Sequence, residues 1–172
     1  MGLRTILTLA GVAGAAAIVA TGFPKRIGVT RNEAEIVLPG DDILPAASFV
    51  TDRAVSIEAT PEVVWSVLKN VVQEDDDMSV VIDDENAALV LASAEVAVDE
   101  HGTAKDVDAT WAFVLIPEDV NRTRLHLRER HQPHCMTAQA ACWADATFMS
   151  LMTMNILRDI KLLAESGGNA EE

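Results

Sequence analysis

Thirty residues near the carboxyl terminus, Thr137 to Ser166 (TAQAACWADATFMSLMTMNILRDIKLLAES), contain neither proline nor glycine. Nothing in that stretch breaks a helix, which would run for about 45 Å, and Ser166-Gly167-Gly168 supplies a stop. Ala141, Ala144, Phe148, Met149, Met152, Ile156, Ile160 and Leu163 recur mostly at steps of three and four, predicting one apolar face. Ser150, Arg158, Lys161 and Glu165 fall opposite, while Asp145 and Asp159 fall on the apolar face itself. Such a helix cannot bury its face alone. The segments before it read as strands, so the simplest partner is an antiparallel sheet curved around it, an α+β arrangement.

The preceding segments support that partner. Val50 to Ala59 alternates, with Arg53, Val55 and Ile57 on one parity. Thr60-Pro61-Glu62 starts a short helix whose apolar face is Val64, Trp65, Leu68 and Val71. Met78–Ile82, Ala87–Ala92 and Ala94–Val98 read as short strands between acidic turns. Ala109–Ile116 is apolar on both faces, and Pro117–Asn121 turns it into a return strand, Arg122–Arg130. On that strand Leu125 and Leu127 occupy one face, and Arg124, His126, Arg128 and Arg130 the other, predicting one dry and one wet side.

The amino terminus is of another kind. Thr5 to Phe23 is a run of 19 residues without a charge, about 28 Å as a helix and close to the hydrocarbon thickness of a bilayer. It is read as a retained membrane anchor within residues 1–26, against a cleaved signal peptide ending near Ile18-Val19-Ala20. Residues 27–49 then read as a linker, 50–166 as the folded domain and 167–172 as a flexible acidic tail. Lys25, Arg26 and Arg31 outnumber Arg4 across the span, which places the folded domain on the cytoplasmic side of a single-pass protein.

Charge narrows the partners. Residues 1–26 carry three basic and no acidic side chains, so the remaining 146 carry −17 of a total of −14. That field repels nucleic acid and anionic headgroups. The acid clusters at 74–77 and 83–85 lack the alternating spacing and central glycine of a calcium loop. Cys135 and Cys142 would lie about 10 Å apart on a helix, too far for a disulfide. His131, His134 and Cys135 form H-x-x-H-C. These are zinc-type ligands without a fourth close group, and they read first as surface residues between strand and helix, with a metal site the lesser alternative. No phosphate loop or Ser/His/Asp order appears, and no cofactor is expected.

The order of strand, short helix, several strands and long terminal helix resembles the helix-grip fold of the START-like, polyketide cyclase/dehydrase (SRPBCC) superfamily. The carrying residues are Arg53 to Trp65 (RAVSIEATPEVVW), Thr110 to Leu115 (TWAFVL) with Asn121–Leu125 and Arg128–Arg130, and Ile156 to Lys161 (ILRDIK). Gly28–Arg31 with Leu38–Asp41 is similar to members that carry an amino-terminal membrane segment. Members of that subgroup have a longer aromatic-rich insertion after the first helix, where this chain passes directly to its acid cluster. The shorter connection implies a smaller pocket.

The resemblance implies a cavity between sheet and long helix for a small hydrophobic or lipid-like ligand. Trp65, Trp111, Phe113, Leu125, Leu127, Phe148, Met149, Met152 and Ile156 are its expected lining, or else plain core. Glu129 shares parity with Leu125 and Leu127, and Asp145 precedes Phe148 by one turn, so these two carboxylates are the internal candidates for proton transfer. The competing readings place Glu129 in a solvated pair with an arginine and Asp145 beyond the sheet in water. The expectation is a non-catalytic ligand-binding domain. A cyclase- or dehydratase-like enzyme and an interaction domain with a filled core are the alternatives.

Overall fold

The computed structural model describes residues 22–72, 78–93, 97–98, 104–105, 107–132 and 136–168. In chain order its elements are β1 (Arg26–Ile27), α1 (Arg31–Ala34), β2 (Phe49–Ile57), α2 (Pro61–Val71), β3 (Met78–Asp84) and β4 (Ala88–Ser93). β5 (Ala97–Val98), β6 (Ala104–Lys105), β7 (Ala109–Asp119), β8 (Arg122–His131) and α3 (Met136–Gly168) follow. The main sheet has six strands in the order β1-β2-β8-β7-β4-β3, and β5 pairs with β6 separately. The long terminal helix and the sheet that holds it are therefore both present, in a helix-grip arrangement.

The sheet is mixed, not antiparallel throughout. β1 runs parallel to β2, with Arg26 opposite Asp52 and Ile27 opposite Arg53. β2 would otherwise present an open row of backbone donors and acceptors at the sheet edge, and the Asp52 amide instead donates to the Lys25 carbonyl at 2.7 Å. Antiparallel pairing of β8 with β2 on one side and β7 on the other fixes the faces. Thr51, Arg53, Val55 and Ile57, with Leu125, Leu127 and Glu129, and Trp111, Phe113 and Leu115, share the inner face.

Onto that face pack α2 and the carboxyl-terminal half of α3. Val64, Trp65 and Leu68 meet Met154, Leu157, Ile160 and Ala164 over Ile57, Leu89, Leu91, Phe113, Leu125 and Leu127 in one core. Polar bonds hold the end of the helix down: Lys161 Nζ donates to the Ser56 carbonyl, and the Glu58 amide donates to Glu165 Oε1 at 2.9 Å.

The helix is turned relative to its predicted phase. Leu157 is wholly buried, whereas Phe148, Met152, Ile156 and Leu163 are 69%, 51%, 40% and 52% exposed. Of the expected apolar face, Ile160 alone among the described side chains is buried. The physical reason is that α3 is apolar on two sides. Thr153, Met154, Leu157, Ile160 and Ala164 form a second stripe at helical spacing, and this is the one complementary to the sheet.

The outer face is not wet either. Residues 31–47 lie across it, so the segment read as a linker forms a strap. Arg128 donates from Nε to Asp52 Oδ1 at 2.8 Å, from Nη1 to Asp41 Oδ2 at 2.7 Å and to the Ile36 carbonyl, and from Nη2 to the Ala34 carbonyl. Arg130 Nη1 donates to Asp41 Oδ1 at 3.1 Å, and His126 Nε2 lies 2.9 Å from Asp52 Oδ1. Arg124 binds Glu33 and the Gly28 carbonyl. Thr30 and Glu33 cap α1 reciprocally. Burial alone would raise the Glu33 carboxyl, but bonds from Thr30 and Arg124 outweigh it and hold the group below the usual carboxylate value. Leu38 completes the layer by packing on Ala88, Val90, Ala112 and Val114. Gly40, at φ +89°, lets the strap approach so closely that an added Cβ would sit 2.8 Å from Val90 Cγ1.

Candidate functional site

Strand alternation puts Thr51, Arg53 and Glu129 on the inner face at one end of β2 and β8, beyond the apolar core. There they form a cluster. Arg53 Nη1 lies 3.1 Å from Glu129 Oε2 and donates to Thr51 Oγ1 at 2.8 Å. The Thr51 hydroxyl in turn donates to Glu129 Oε2 at 3.0 Å. From the helix above, Thr153 Oγ1 donates to Glu129 Oε1 at 3.4 Å. Arg53 has no exposed surface and Glu129 is 7% exposed, so the pair is dry.

Aromatic groups border it. Trp111 sits opposite Glu129 on β7. The His131 ring meets Trp111 edge-on at 5.8 Å and Phe49 at 6.3 Å. Burial lowers the His131 pKa from the ordinary 6.5, with the Arg53 charge adding to it and the Glu129 charge opposing. Met78, Val80 and Trp111, all on the core side, remain partly exposed.

The expected lining residues divide accordingly. Trp65, Phe113, Leu125 and Leu127 are core, and Trp111 flanks the polar cluster. Phe148, Met152 and Ile156 do not face the sheet, because the other stripe of α3 does. The side chains of Met149 and Asp145 fall outside the described residues. Glu129 does pair with an arginine, but in the interior, so the solvated reading of that pair is corrected. His134 and Cys135 fall outside the described residues, as does the Cys142 side chain. His131 belongs to the aromatic border, and among the described residues no three His, Cys, Asp or Glu side chains converge as metal ligands.

Arg53, Thr51 and Thr153 were not singled out from sequence. For Arg53 a signal existed in its parity with Val55 and Ile57, an arginine on an apolar face. Chemically, the cluster offers a fixed dipole and hydroxyl groups at the edge of an oily wall. A depression of about 430 Å³ lies elsewhere, at the β1 edge, lined by Phe23, Arg26, Ile27, Gly28, Val29 and Thr30.

No protein-family model matches the chain, and no curated protein matches it. Solved structures do. A protein from Arthrobacter aurescens aligns over 77% of this chain and 91% of its own at 11% identity, TM-score 0.48. A Polyketide_cyc-like protein from Corynebacterium glutamicum aligns over 72% and 95% at 9% identity, TM-score 0.47. The di-domain ARO/CYC StfQ of the steffimycin biosynthetic pathway aligns over 70% and 52% at 12% identity, TM-score 0.46. Likenesses this distant decide neither family nor activity. The helix-grip description rests on the strand order and register above.

Among the described residues no helix is long and apolar enough to cross a membrane. Residues 5–21 of the expected anchor lie outside them.

Proposed function

We propose that this chain is a membrane-tethered helix-grip domain of the SRPBCC type that binds a small hydrophobic molecule without transforming it. The ligand lies at the Glu129 end of the concave face, its apolar body against Trp111, Met78 and Val80. A hydroxyl or carbonyl on it meets the Thr51, Arg53, Glu129 and Thr153 cluster. The observation that carries the reading is that cluster: a buried ion pair with two hydroxyl groups at the border of an apolar wall, the composition of a small-molecule site. Both Glu129 carboxylate oxygens are already engaged, Oε2 by Arg53 and Thr51 and Oε1 by Thr153, which argues against a catalytic role for it. Residues 5–23 supply the tether, and the acidic domain does not engage nucleic acid.

Native mass spectrometry of the full chain, released from detergent, tests the proposal. The expected result is a small apolar adduct on the wild type that is lost from the paired variant Arg53→Met/Glu129→Leu. A bare protein mass after mild extraction, with no adduct restored by a lipid extract, overturns it.

A further inference from the structure

Tethering has a geometric consequence that rests on the membrane reading just proposed. The charge-free run ends at Phe23, and Arg26 is already paired with Asp52 in the sheet. Three residues reach about 10 Å at most. Residues 27–49 do not lengthen that tether, because they are strapped to the outer face by Arg124, Arg128 and Arg130. The folded domain is therefore held against the bilayer.

The part of it that suits a lipid surface is the outer stripe of α3. Phe148, Met152, Ile156 and Leu163 follow one another at steps of four, four and seven and are all exposed. They span 16 residues, about 22 Å of helix. Leu162 and Phe23 are exposed as well. The helix runs alongside β2 in the same sense: Thr153 meets Glu129 opposite Thr51, and Lys161 and Glu165 meet Ser56 and Glu58. Phe148 and Met152 thus lie at the β2 end where Lys25 caps the Phe49 ring at 4.7 Å and the chain leaves the sheet towards the tether. Tether and stripe begin at the same end of the molecule.

We infer that the outer face of α3, from Phe148 to Leu163, lies on the bilayer surface as an amphipathic interfacial helix. Its occupant is neutral lipid, because the 146 residues after Arg26 carry −17 and repel anionic headgroups. Asp159, exposed on the same face between Ile156 and Leu163, keeps that turn at headgroup depth. The face that closes the ligand site then has lipid behind it, so a lipid-like ligand enters from the bilayer and not from water.

A fluorophore on Ile156→Cys tests this in the full chain carrying Cys135→Ser and Cys142→Ser, reconstituted in phosphatidylcholine vesicles. Val120→Cys, at the far β7–β8 turn and 84% exposed, is the reference. The expected result is that nitroxide-labelled lipid quenches the Ile156 label severalfold more than the Val120 label, aqueous iodide severalfold less, and that added phosphatidylglycerol weakens the contrast. Equal iodide quenching at both positions in chains that resist carbonate extraction overturns the inference while leaving the tether intact. Shielding from iodide without quenching by lipid also overturns it and assigns the stripe to a second copy. Release of the chain by carbonate removes the tether, and with it this inference, while leaving the ligand proposal standing.

Discussion

Replacing Glu129 by leucine leaves Arg53 charged in a site with no solvent exposure. Taking one partner from a buried pair costs about 3–5 kcal/mol, far above the 0–1 kcal/mol typical of a solvated pair. For a domain of this size each kcal/mol shifts Tm by roughly 2–4 °C, so Glu129→Leu is expected to lower it by about 6–20 °C. Arg53→Met on its own leaves the carboxylate unpaired and behaves similarly. The two together remove both charges and restore a packed apolar surface. The double variant is expected within about 2 kcal/mol of wild type, and it becomes more stable if the desolvation of the pair exceeds its attraction. Urea unfolding of the four proteins, read by far-ultraviolet circular dichroism, completes the cycle. A loss under about 1 kcal/mol for Glu129→Leu would refute the claim that the pair is dry. So would strictly additive single and double variants.

Three further outcomes are expected. Leu157→Ala should cost about 2–5 kcal/mol and Met152→Ala under about 0.5 kcal/mol in denaturant unfolding, which checks the phase of α3. The pKa of His131 is lowered on folding, so the unfolded chain binds more protons between its folded value and 6.5. Its contribution to stability is complete above pH 6.5 and is lost as pH falls through the lowered value; a pH series of unfolding free energies in His131→Gln should lack that part of the slope. Asp41→Asn removes the charge that Arg128 and Arg130 share and leaves one amide oxygen for those two guanidinium groups and the Leu38 amide. Hydrogen exchange at Leu38 should accelerate by orders of magnitude while β7 and β8 stay protected, corresponding to about 1.5–3 kcal/mol of local stability.

Strands and their faces were legible where alternation was strict. Leu125, Leu127 and Glu129 against Arg124, His126, Arg128 and Arg130 predicted the two faces that β8 presents, though not that the arginine face would be covered. The terminal helix was legible in extent but not in phase, because periodicity cannot choose between two apolar stripes when the helix carries both. The strap escaped for a different reason. Its contribution is made by carbonyl groups of Ala34, Ile36, Leu44 and Pro45 accepting hydrogen bonds from arginines more than 80 residues away, and backbone acceptors leave no mark in side-chain patterning. The candidate site was half visible: Glu129 stood out on an apolar parity, but its meaning depended on Arg53 being opposite-but-one on a strand far away in sequence.

The proposed ligand meets a dry polar floor formed by Arg53 and Glu129. Nitrogen-15 NMR of the Arg53 guanidinium in delipidated full-length protein, before and after return of the extracted lipid fraction, addresses that directly. The expected spectrum shows slowly exchanging Arg53 protons that shift when the fraction is added, with the exposed Arg158 unchanged. Arg53 protons that exchange as fast as those of Arg158, or that ignore the added fraction, would contradict it.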